Sequence, residues 1–313
     1  MNYNKYLNHV PPVSEVGFGA WQLGSNTIAR SLSEKEALTM VHKAVEWGIN
    51  FFDTAPNYGL GTSEKRLGEA LKDFDRSQIV INTKFGHTVS GGRNYSSDYI
   101  RESLEGSLRR LKMEYVDSLI IHNPPFEILD GNKSEHYEVL ERLKEEGKIR
   151  GYGASVDTYD EMKVLMETTQ SQVIETFFNI LHQDTARAFD LARQKNISLI
   201  GKIPLDSGWL SGKYKSDTTF SDIRDRWSKE DIQTRAHLVN RIKEISGQEE
   251  ELGQMALAFC LSNEAITTVI PGNSNLSQLE NNVNASKTSI SSEIRAALEK
   301  FYLEEVKHLK LPW

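Results

Sequence analysis

Hydrophobic and polar positions follow a regular order along the chain, in which short apolar runs alternate with longer amphipathic stretches. A short apolar run bounded by turn residues is typical of a buried strand. Eight such runs predict strands at residues 16–21, 49–55, 79–85, 118–123, 149–156, 173–180, 197–205 and 266–272.

The stretches between these runs show the spacing of amphipathic helices. "SEKEALTMVHKAVEWG" carries apolar residues at positions 37, 38, 41, 44 and 45 and ends on Gly48, a C-terminal helix signal. "EHYEVLERLKEEGKIRG" places Leu140 and Leu143 on its buried side and stops at Gly147. "YIRESLEGSLRRL" predicts a further helix.

Eight strands, each followed by a helix, predict a parallel sheet covered by helices, and eight is the number that closes a (β/α)8 TIM barrel. The competing fold is a doubly wound open sheet, which usually carries G-x-G-x-x-G after its first strand. Here that segment reads "GFGAWQLGS" and lacks this spacing. We therefore predict one barrel domain over residues 1–313 with an additional C-terminal helix.

Residues 206–235 interrupt the alternation with a long polar insertion after the seventh strand. Loops of this length in a compact domain tend to be functional or disordered. The segment contains "SGWLSGKY" and "FSDIRDRWS".

Composition narrows the class of protein. Apolar residues make up 38% and charged residues 26%, and 37 Lys and Arg against 44 Asp and Glu give a net charge of −7. This balance argues against nucleic acid or an anionic membrane as the main partner. We see no secretory signal or membrane span, and Cys260 is the only cysteine, so we expect a cytoplasmic protein. The oligomeric state stays open.

Candidate chemistry lies at the carboxyl ends of three neighbouring strands. Asp53, Lys84 and His122 end the second, third and fourth predicted strands, and Tyr58 follows Asp53 in its loop. Each has a structural interpretation: an ion pair, a solvated lysine or a histidine that caps a turn. In a barrel, however, these strand ends share one mouth, which favours a joint functional interpretation.

The four side chains suit the reduction of a carbonyl. Hydride transfer to carbon leaves negative charge on oxygen, which needs a proton. A free tyrosine has a pKa near ~10, and a neighbouring ammonium lowers it. We therefore expect Lys84 to tune Tyr58 as the acid, Asp53 to hold Lys84, and His122 to orient the carbonyl. Such general acid catalysis is worth ~10²–10⁴-fold.

The order of motifs resembles the aldo-keto reductase family of nicotinamide-dependent (β/α)8 barrels, in the bacterial type with a long loop after strand seven. The motifs, which cover nearly the whole chain, are "GFGAWQLG", "GINFFDTAPNYGLGTSEKRLGEAL", "NTKFG", "LRRLKMEYVDSLIIHNPP", "GYGAS", "PLDSGWLSGKY" and "VIPGNSNLSQLENNV". By this resemblance Asp53, Tyr58, Lys84 and His122 are the catalytic tetrad. The resemblance also implies that an N-terminal hairpin closes the barrel floor.

The resemblance implies a set of cofactor-binding positions. They are Ala20, Trp21, Asp53, Ser155, Glu175, Lys202, Pro204, Leu205, Ser207, Gly208, Leu210, Gly212, Gly272, Asn273, Ser274, Gln278, Asn281 and Asn282. Three positions near the nicotinamide depart from the family pattern. Val156 follows Ser155 where asparagine is usual, Glu175 replaces glutamine, and Lys202 replaces a tyrosine that stacks on the ring. The aliphatic stem of Lys202 could partly take the place of that tyrosine.

Cofactor choice depends on the segment after strand eight. Many NADP-dependent members place Lys and Arg there, whereas the matching positions here are Gly272 and Gln278. A 2′-phosphate prefers charge-assisted partners. Three other groups could bind the phosphate in their place. They are the neutral donors of this segment, the N-terminus of the helix "LSQLENNVNA", and Arg224 or Arg226. We expect use of both cofactors, NADP(H) being the family default and NAD(H) also being accepted.

We expect the substrate to be a small-molecule carbonyl or alcohol, and aromatic walls suit aldehydes, ketones and sugars alike. Candidate lining residues are Trp21, Tyr58, Phe85, His87, His122, Asn123, Trp209 and Trp227. One alternative is a non-catalytic, redox-sensing subunit that binds a partner protein. A second is a Schiff-base aldolase that uses Lys84 or Lys202. The eight histidines show no metal-binding pair at helical spacing, so we expect no metal.

Overall fold

The computed structural model describes residues 1–24, 32–248 and 250–312. Ten strands occur in the described residues, and the last eight form one parallel sheet, which confirms the predicted fold. They are β1 Tyr3–Asn4, β2 Val13–Ser14, β3 Phe18–Gly19, β4 Phe51–Asp53, β5 Val80–Phe85, β6 Val116–Ile121, β7 Ile149–Val156, β8 Val173–Phe177, β9 Ser198–Lys202 and β10 Ile266–Val269.

Each strand of the parallel sheet pairs with its neighbour in sequence, from β3 to β10. The two end strands also meet, because Val16 pairs with Val269 and Gly19 pairs with Gly272 in parallel bridges. The amide of Gly17 donates to the carbonyl of Val269 at 2.8 Å. The sheet therefore closes into a barrel, and the carboxyl ends of all eight strands meet at one rim.

Helices cover the outside of this barrel. Their bounds are α1 Trp21–Gly24, α2 Glu34–Glu46, α3 Thr62–Leu71, α4 Tyr99–Leu111, α5 Phe126–Leu129, α6 His136–Glu145, α7 Tyr159–Thr168, α8 Phe189–Gln194, α9 Lys229–Ser246, α10 Leu252–Leu261, α11 Leu276–Asn284 and α12 Ser292–Phe301. Short 3₁₀ turns lie at Arg76–Gln78, Asp184–Ala188, Asp206–Ser211, Ile223–Arg226 and Ala285–Lys287, and a π turn at Tyr302–Val306 follows α12.

Local sequence signals account for several helix ends. Ser33 and Glu36 form a reciprocal capping box at the start of α2, which satisfies amides that the helix itself leaves unpaired. Gly48 follows this helix with a φ of 92°, a conformation that a residue with a Cβ adopts at a cost. Helix α4 begins and ends at the predicted residues.

Two apolar clusters hold the layers together. One lies between the strands and the surrounding helices. The other fills the barrel floor, where Tyr6, Leu7 and Val13 of the N-terminal hairpin pack against inward side chains such as Phe51 and Ile120. Tyr6 also shares a 2.6 Å hydrogen bond with Ser118 inside the barrel. The expected hairpin therefore closes the floor, and the opposite end stays available for ligands.

The insertion at residues 206–235 is more ordered than its polarity predicts. It contains two 3₁₀ turns, and helix α9 already begins within it. Trp209 and Trp227 are buried, with ring centroids 6.0 Å apart, and Phe220 packs edge-on against both. Four aromatic residues in a thirty-residue segment give it a small core of its own. The polar sequence of residues 206–235 predicts a functional or disordered loop, and the structure shows a packed one.

Three other features of the sequence concern the single cysteine, membrane spans and the C-terminal helix. Cys260 is buried on α10, as its apolar surroundings predicted. Within the described ranges, no helix combines the length and apolar character that a membrane span requires. The predicted C-terminal helix is α12, and the end of the predicted tail, Trp313, lies outside the described residues.

Candidate active site

The barrel rim brings together charged groups from adjacent strands. Asp53 ends β4, and Lys84 comes from the neighbouring β5. The Lys84 ammonium lies 2.6 Å and 2.7 Å from the two carboxylate oxygens of Asp53, and both side chains are almost fully buried. The same ammonium donates to the carbonyl of Thr54 at 3.1 Å. The buried carboxylate thus has the cationic partner that its burial requires.

Asp53 is held by a second donor as well. The Asn82 side-chain amide donates to its Oδ1 at 2.7 Å, and Asn82 in turn accepts from Ser118 at 2.5 Å. Burial raises the pKa of the Asp53 carboxyl to about 7, although the charge of Lys84 and these hydrogen bonds lower it. The ionised form of Asp53 therefore depends on Lys84.

Tyr58 stands beside this pair on the loop that follows β4. Its ring centroid lies 5.2 Å from the Lys84 ammonium. The loop packs tightly on the backbone of Gly24: a Cβ at Gly59 would lie 1.9 Å from the Gly24 carbonyl oxygen. Gly59 has a φ of 59°, so both its conformation and its surroundings favour glycine. This contact sets the position of the phenol.

The sequence predicts that Lys84 lowers the pKa of Tyr58, but the net shift in the structure is upward. Burial raises the pKa of the Tyr58 phenol above its usual range, and the Lys84 ammonium lowers it by a smaller amount. Asp53 and Glu175, both anionic groups close to Lys84, raise it further. Lys84 therefore reduces the cost of ionising Tyr58, but the phenol stays protonated at neutral pH.

His122 follows β6 and faces the phenol. Its ring meets Tyr58 edge-on at 5.9 Å between centroids and stacks on His87 at 4.2 Å. The Tyr95 hydroxyl donates to the His122 carbonyl at 2.7 Å, which fixes this segment. Burial and the nearby Lys84 charge hold the pKa of His122 well below its usual range. His122 is therefore a neutral imidazole that can donate one hydrogen bond.

A second polar group continues the site across β7, β8 and β9. Glu175 lies 3.2 Å from the Lys84 ammonium, and the Ser155 hydroxyl donates to its other oxygen at 3.3 Å. The Lys202 ammonium contacts Ser155 at 2.8 Å, Asn123 at 2.9 Å and Asp157 at 2.7 Å. Lys202 is therefore held by polar acceptors. Two of the three positions that depart from the family pattern, Glu175 and Lys202, are therefore connected through Ser155 to one network with Lys84.

The loop after β9 carries the next set of expected cofactor positions. Pro204 and Leu210 are buried, and the others, Leu205, Ser207, Gly208 and Gly212, are partly accessible. Several of its residues have left-handed backbone conformations, including Asp206 and Ser207.

Two further expected positions follow β3. Ala20 is buried and its amide donates to the Asp53 carbonyl at 2.9 Å, whereas Trp21 is half-exposed at the start of α1.

The segment after β10 is largely satisfied by its own contacts. The Asn282 amide donates to the Asn273 side chain at 2.9 Å and to the Gly272 carbonyl at 3.2 Å. The Ser274 backbone amide donates to the side-chain oxygen of Gln278. The backbone amide of Gln278 donates to the side-chain oxygen of Asn275, the N-cap of α11. Asn281 is exposed on α11. The neutral amide groups expected here are present, and much of their hydrogen-bonding capacity is used within the segment.

Five expected positions carry side chains that the structure places in other contacts. Phe85, Trp209 and Trp227 are buried in apolar clusters, so they cannot line an open mouth. Arg224 pairs with Asp222, and Arg226 donates to the Ile223 carbonyl and lies against Trp227. The insertion buries Trp209 and Trp227 in its own core and holds Arg224 and Arg226 in contacts within the segment.

Sequence reasoning missed two members of the site. Asn82 precedes Lys84 by two residues on β5, so both point to the same face of the strand. Asp157 directly follows the last residue of β7. The rule that identified Asp53 and His122, a polar residue at the carboxyl end of a strand, could have found Asp157. The period of two along a strand could have found Asn82.

Several buried polar atoms around the rim have no hydrogen-bond partner among the described residues. They are Gln22 Oε1, Asn57 Oδ1, His87 Nε2 and His122 Nδ1. Buried polar atoms are usually paired, so such a group indicates that a polar ligand completes the site. Among the residues that the structure describes, no cluster of three His, Cys, Asp or Glu side chains is placed to hold a metal ion.

Comparison with known proteins agrees with this arrangement. The sequence profile of the Aldo/keto reductase family matches residues 15–303. The chain is 31% identical to L-galactose dehydrogenase of Arabidopsis thaliana, covering 96% of this chain and 93% of that one. The solved aldo-keto reductase AKR11C1 from Bacillus halodurans in its holo form superposes with a TM-score of 0.79 at 27% identity, with 96% of each chain covered.

Two further relatives differ in the cofactor that their names state. Aldo-keto reductase yakc [NADP(+)] of Schizosaccharomyces pombe is 29% identical, over 92% of this chain and 89% of its own length. The NADH-specific methylglyoxal reductase of Escherichia coli is 27% identical, over 92% and 96%. The match spans nearly the whole barrel, including every strand that contributes to the site. The chain belongs to the aldo/keto reductase family of oxidoreductases.

Proposed function

We propose that this protein reduces an aldehyde or ketone, sugars included, to the alcohol with a nicotinamide dinucleotide as hydride donor. The observation that carries the proposal is the convergence of Tyr58, Lys84, Asp53 and His122 at one rim of the barrel. A bound dinucleotide would supply the hydride, and the chain's own residues would supply the proton and orient the carbonyl.

Each side chain has one role in this proposal. The neutral imidazole of His122 donates a hydrogen bond to the carbonyl oxygen and fixes its direction. Tyr58, protonated at neutral pH, transfers its phenolic proton to that oxygen as negative charge develops there. Lys84 stabilises the phenolate that is left, because an adjacent ammonium favours the charged form. Asp53 holds Lys84 in place and balances its charge.

A dinucleotide would contact several loops of the rim, and the unpaired Gln22 Oε1, which lies beside Gly272, would accept a hydrogen bond from it. We assign the nicotinamide end to the region of Ser155, Glu175 and Lys202, the diphosphate to the loop after β9, and the adenosine to the segment after β10. The buried carboxylate of Glu175 can accept a hydrogen bond from an amide but cannot donate one. We expect both NADP(H) and NAD(H) to bind.

The lysine contacts oppose the Schiff-base alternative. Burial lowers the pKa of the Lys84 ammonium, but the charges of Asp53 and Glu175 raise it by more, so it lies above its usual range. A lysine that attacks a carbonyl must first lose a proton. The Lys202 amine contacts Ser155, Asn123 and the Asp157 carboxylate. Neither amine is therefore left without polar contacts, as attack on a carbonyl would require.

A reduction screen tests the proposal. The purified protein is mixed with NADPH or NADH and with simple aldehydes, methylglyoxal-like aldehydes, aromatic aldehydes and aldose sugars, and consumption of the reduced dinucleotide is followed by absorbance. We expect turnover with at least one class of carbonyl. The absence of turnover in both directions, with sugar alcohols and aldoses also tried as substrates for oxidation, would overturn the proposal.

A further inference from the structure

The loop after β9 is held in an unusual backbone conformation. Ile203, Asp206 and Ser207 have φ values of 51°, 44° and 54°, and Gly208 follows at 99°. Residues other than glycine adopt this left-handed region at a cost, and such backbone persists where its surroundings over-determine it. The contacts of Asp206 show what these surroundings are.

The Asp206 carboxylate is fully buried and has a cationic partner from helix α9. Arg235 Nε donates to Asp206 Oδ2 at 3.1 Å, and no part of either side chain is exposed. On the other side, His182 Nε2 lies 3.4 Å from Oδ1. Because a buried charge is stable only when it is paired, the position of Arg235 determines whether Asp206 can keep its strained conformation.

Arg235 is in turn held by the end of the chain. Its Nη2 donates to the carbonyl oxygen of Pro312 at 2.5 Å, and Trp227 Nε1 donates to the same oxygen at 2.8 Å. The guanidinium lies 4.8 Å from the centre of the Trp227 ring, which packs against Trp209 of the loop. One carbonyl near the C-terminus thus joins both side chains that support the loop.

We propose that Leu311, which packs against the apolar core, and Pro312, whose carbonyl accepts from Arg235 and Trp227, act as a strap that fixes the strained loop 203–212 and so pre-organises it for a dinucleotide diphosphate. The last part of this inference rests on the proposed function, which assigns the loop to the dinucleotide. Arg235 and Trp227 are positioning residues here, since they act through Asp206 and Trp209. A pre-formed loop binds more tightly because less freedom is lost on binding.

Hydrogen exchange tests the strap without any ligand. Three variants are compared with the wild type: a chain that ends at Lys310, Trp227→Phe, which removes the indole donor to Pro312 together with part of the ring that packs against Trp209, and the control Lys229→Met, exposed at the start of α9. We expect amide exchange in residues 203–212 to become about 10-fold faster in the first two variants. Exchange in β5 and in the control should match the wild type. Unchanged exchange at 203–212 in both strap variants would overturn the inference.

Binding titrations test the functional half. Dissociation constants for NADPH and NADH are measured by fluorescence, and we expect them to rise about 5-fold or more in the two strap variants and to stay unchanged in Lys229→Met. Faster exchange with unchanged dissociation constants would overturn the link to the dinucleotide. If the wild type bound neither dinucleotide, the proposed function would fail, while the exchange comparison would still decide whether the strap exists.

Discussion

At the scale of single residues, the site depends on one buried ammonium shared by two carboxylates. Lys84 lies 2.6 Å from Asp53 and 3.2 Å from Glu175, and all three side chains are buried. In such a group the loss of a single partner costs more than the pair contributes, because an uncompensated charge is left inside the protein. Lys84 therefore supports both the stability of the barrel rim and the proposed chemistry.

Removing the ammonium should destabilise the fold. We expect Lys84→Met to lower the free energy of unfolding by about 3–5 kcal/mol, measured by urea denaturation. The control is Lys112→Met, which breaks an exposed ion pair with Glu69 and should cost about 0–1 kcal/mol. Adding Asp53→Asn to Lys84→Met should restore part of the loss. Strictly additive effects of the two substitutions would show that the residues do not interact.

The pKa of Tyr58 predicts how the two reaction directions respond to pH. Burial holds the phenol protonated at neutral pH, so reduction, which needs the proton, should change little between about pH 6 and pH 8. Oxidation of an alcohol needs the phenolate, whose fraction grows as the pH rises toward the raised pKa. The rate of oxidation should therefore increase steadily from about pH 7 to pH 9. An oxidation rate that levels off below pH 7 would contradict this assignment.

At the scale of elements, the loop between β4 and α3 positions the phenol through a backbone contact. Gly59 and Gly24 approach so closely that neither can carry a side chain without displacing the other segment. Asp53 is held at the end of β4, and the contact between Gly59 and Gly24 fixes the path of the loop that follows. The motif "PNYG" thus has a geometric reason that the residue types alone did not reveal.

Gly59→Ala should displace Tyr58. A matched control is Gly247→Ala: Gly247 has a similar φ of 66°, but an added Cβ there would meet nothing within 4 Å. Both changes carry the backbone cost of about 1 kcal/mol for leaving glycine in this region. We expect kcat to fall at least ~10-fold in Gly59→Ala and to stay near the wild-type value in Gly247→Ala. Equal kcat values in the two variants would mean that the close contact does not position the phenol.

Helix α11 is the element that should determine cofactor choice. Its first turn presents Gln278 where a cation would favour a 2′-phosphate. We expect wild-type kcat/KM for NADPH and NADH to differ by less than ~10³, about 4 kcal/mol. Gln278→Arg should raise the preference for NADPH about 10-fold, whereas Ser277→Arg, at an exposed position of the same turn, should not. A wild-type ratio above ~10³ would reveal a phosphate clamp elsewhere.

At the scale of the whole molecule, sequence periodicity predicted the barrel because each strand is buried on both faces and each helix on one. The predicted strands 79–85 and 149–156 match β5 and β7 closely. Runs near the rim were overextended: the strand predicted to reach residue 205 ends at Lys202, where the next residue turns into a left-handed conformation. Apolar composition cannot show that turn.

The candidate site was predictable to the extent that it lies at strand ends. Asp53, Lys84 and His122 lie where the barrel geometry places them. The partners of Lys202 and the buried cluster around Trp209 were not predictable, because they depend on how the loops fold over the rim. The raised pKa of Tyr58 was not predictable either, because burial raises it by more than the neighbouring Lys84 charge lowers it, and the sequence does not show this burial.

The proposed reduction requires the phenolic proton of Tyr58, and Tyr58→Phe removes this proton while it keeps the ring. With a carbonyl that the wild type reduces, kcat in the variant should fall ~10²–10⁴-fold, while the dissociation constants for NADPH and NADH stay within about 2-fold of the wild type. Equal turnover in the two proteins, with dinucleotide binding intact, would contradict the account and favour a non-catalytic, redox-sensing role for this barrel.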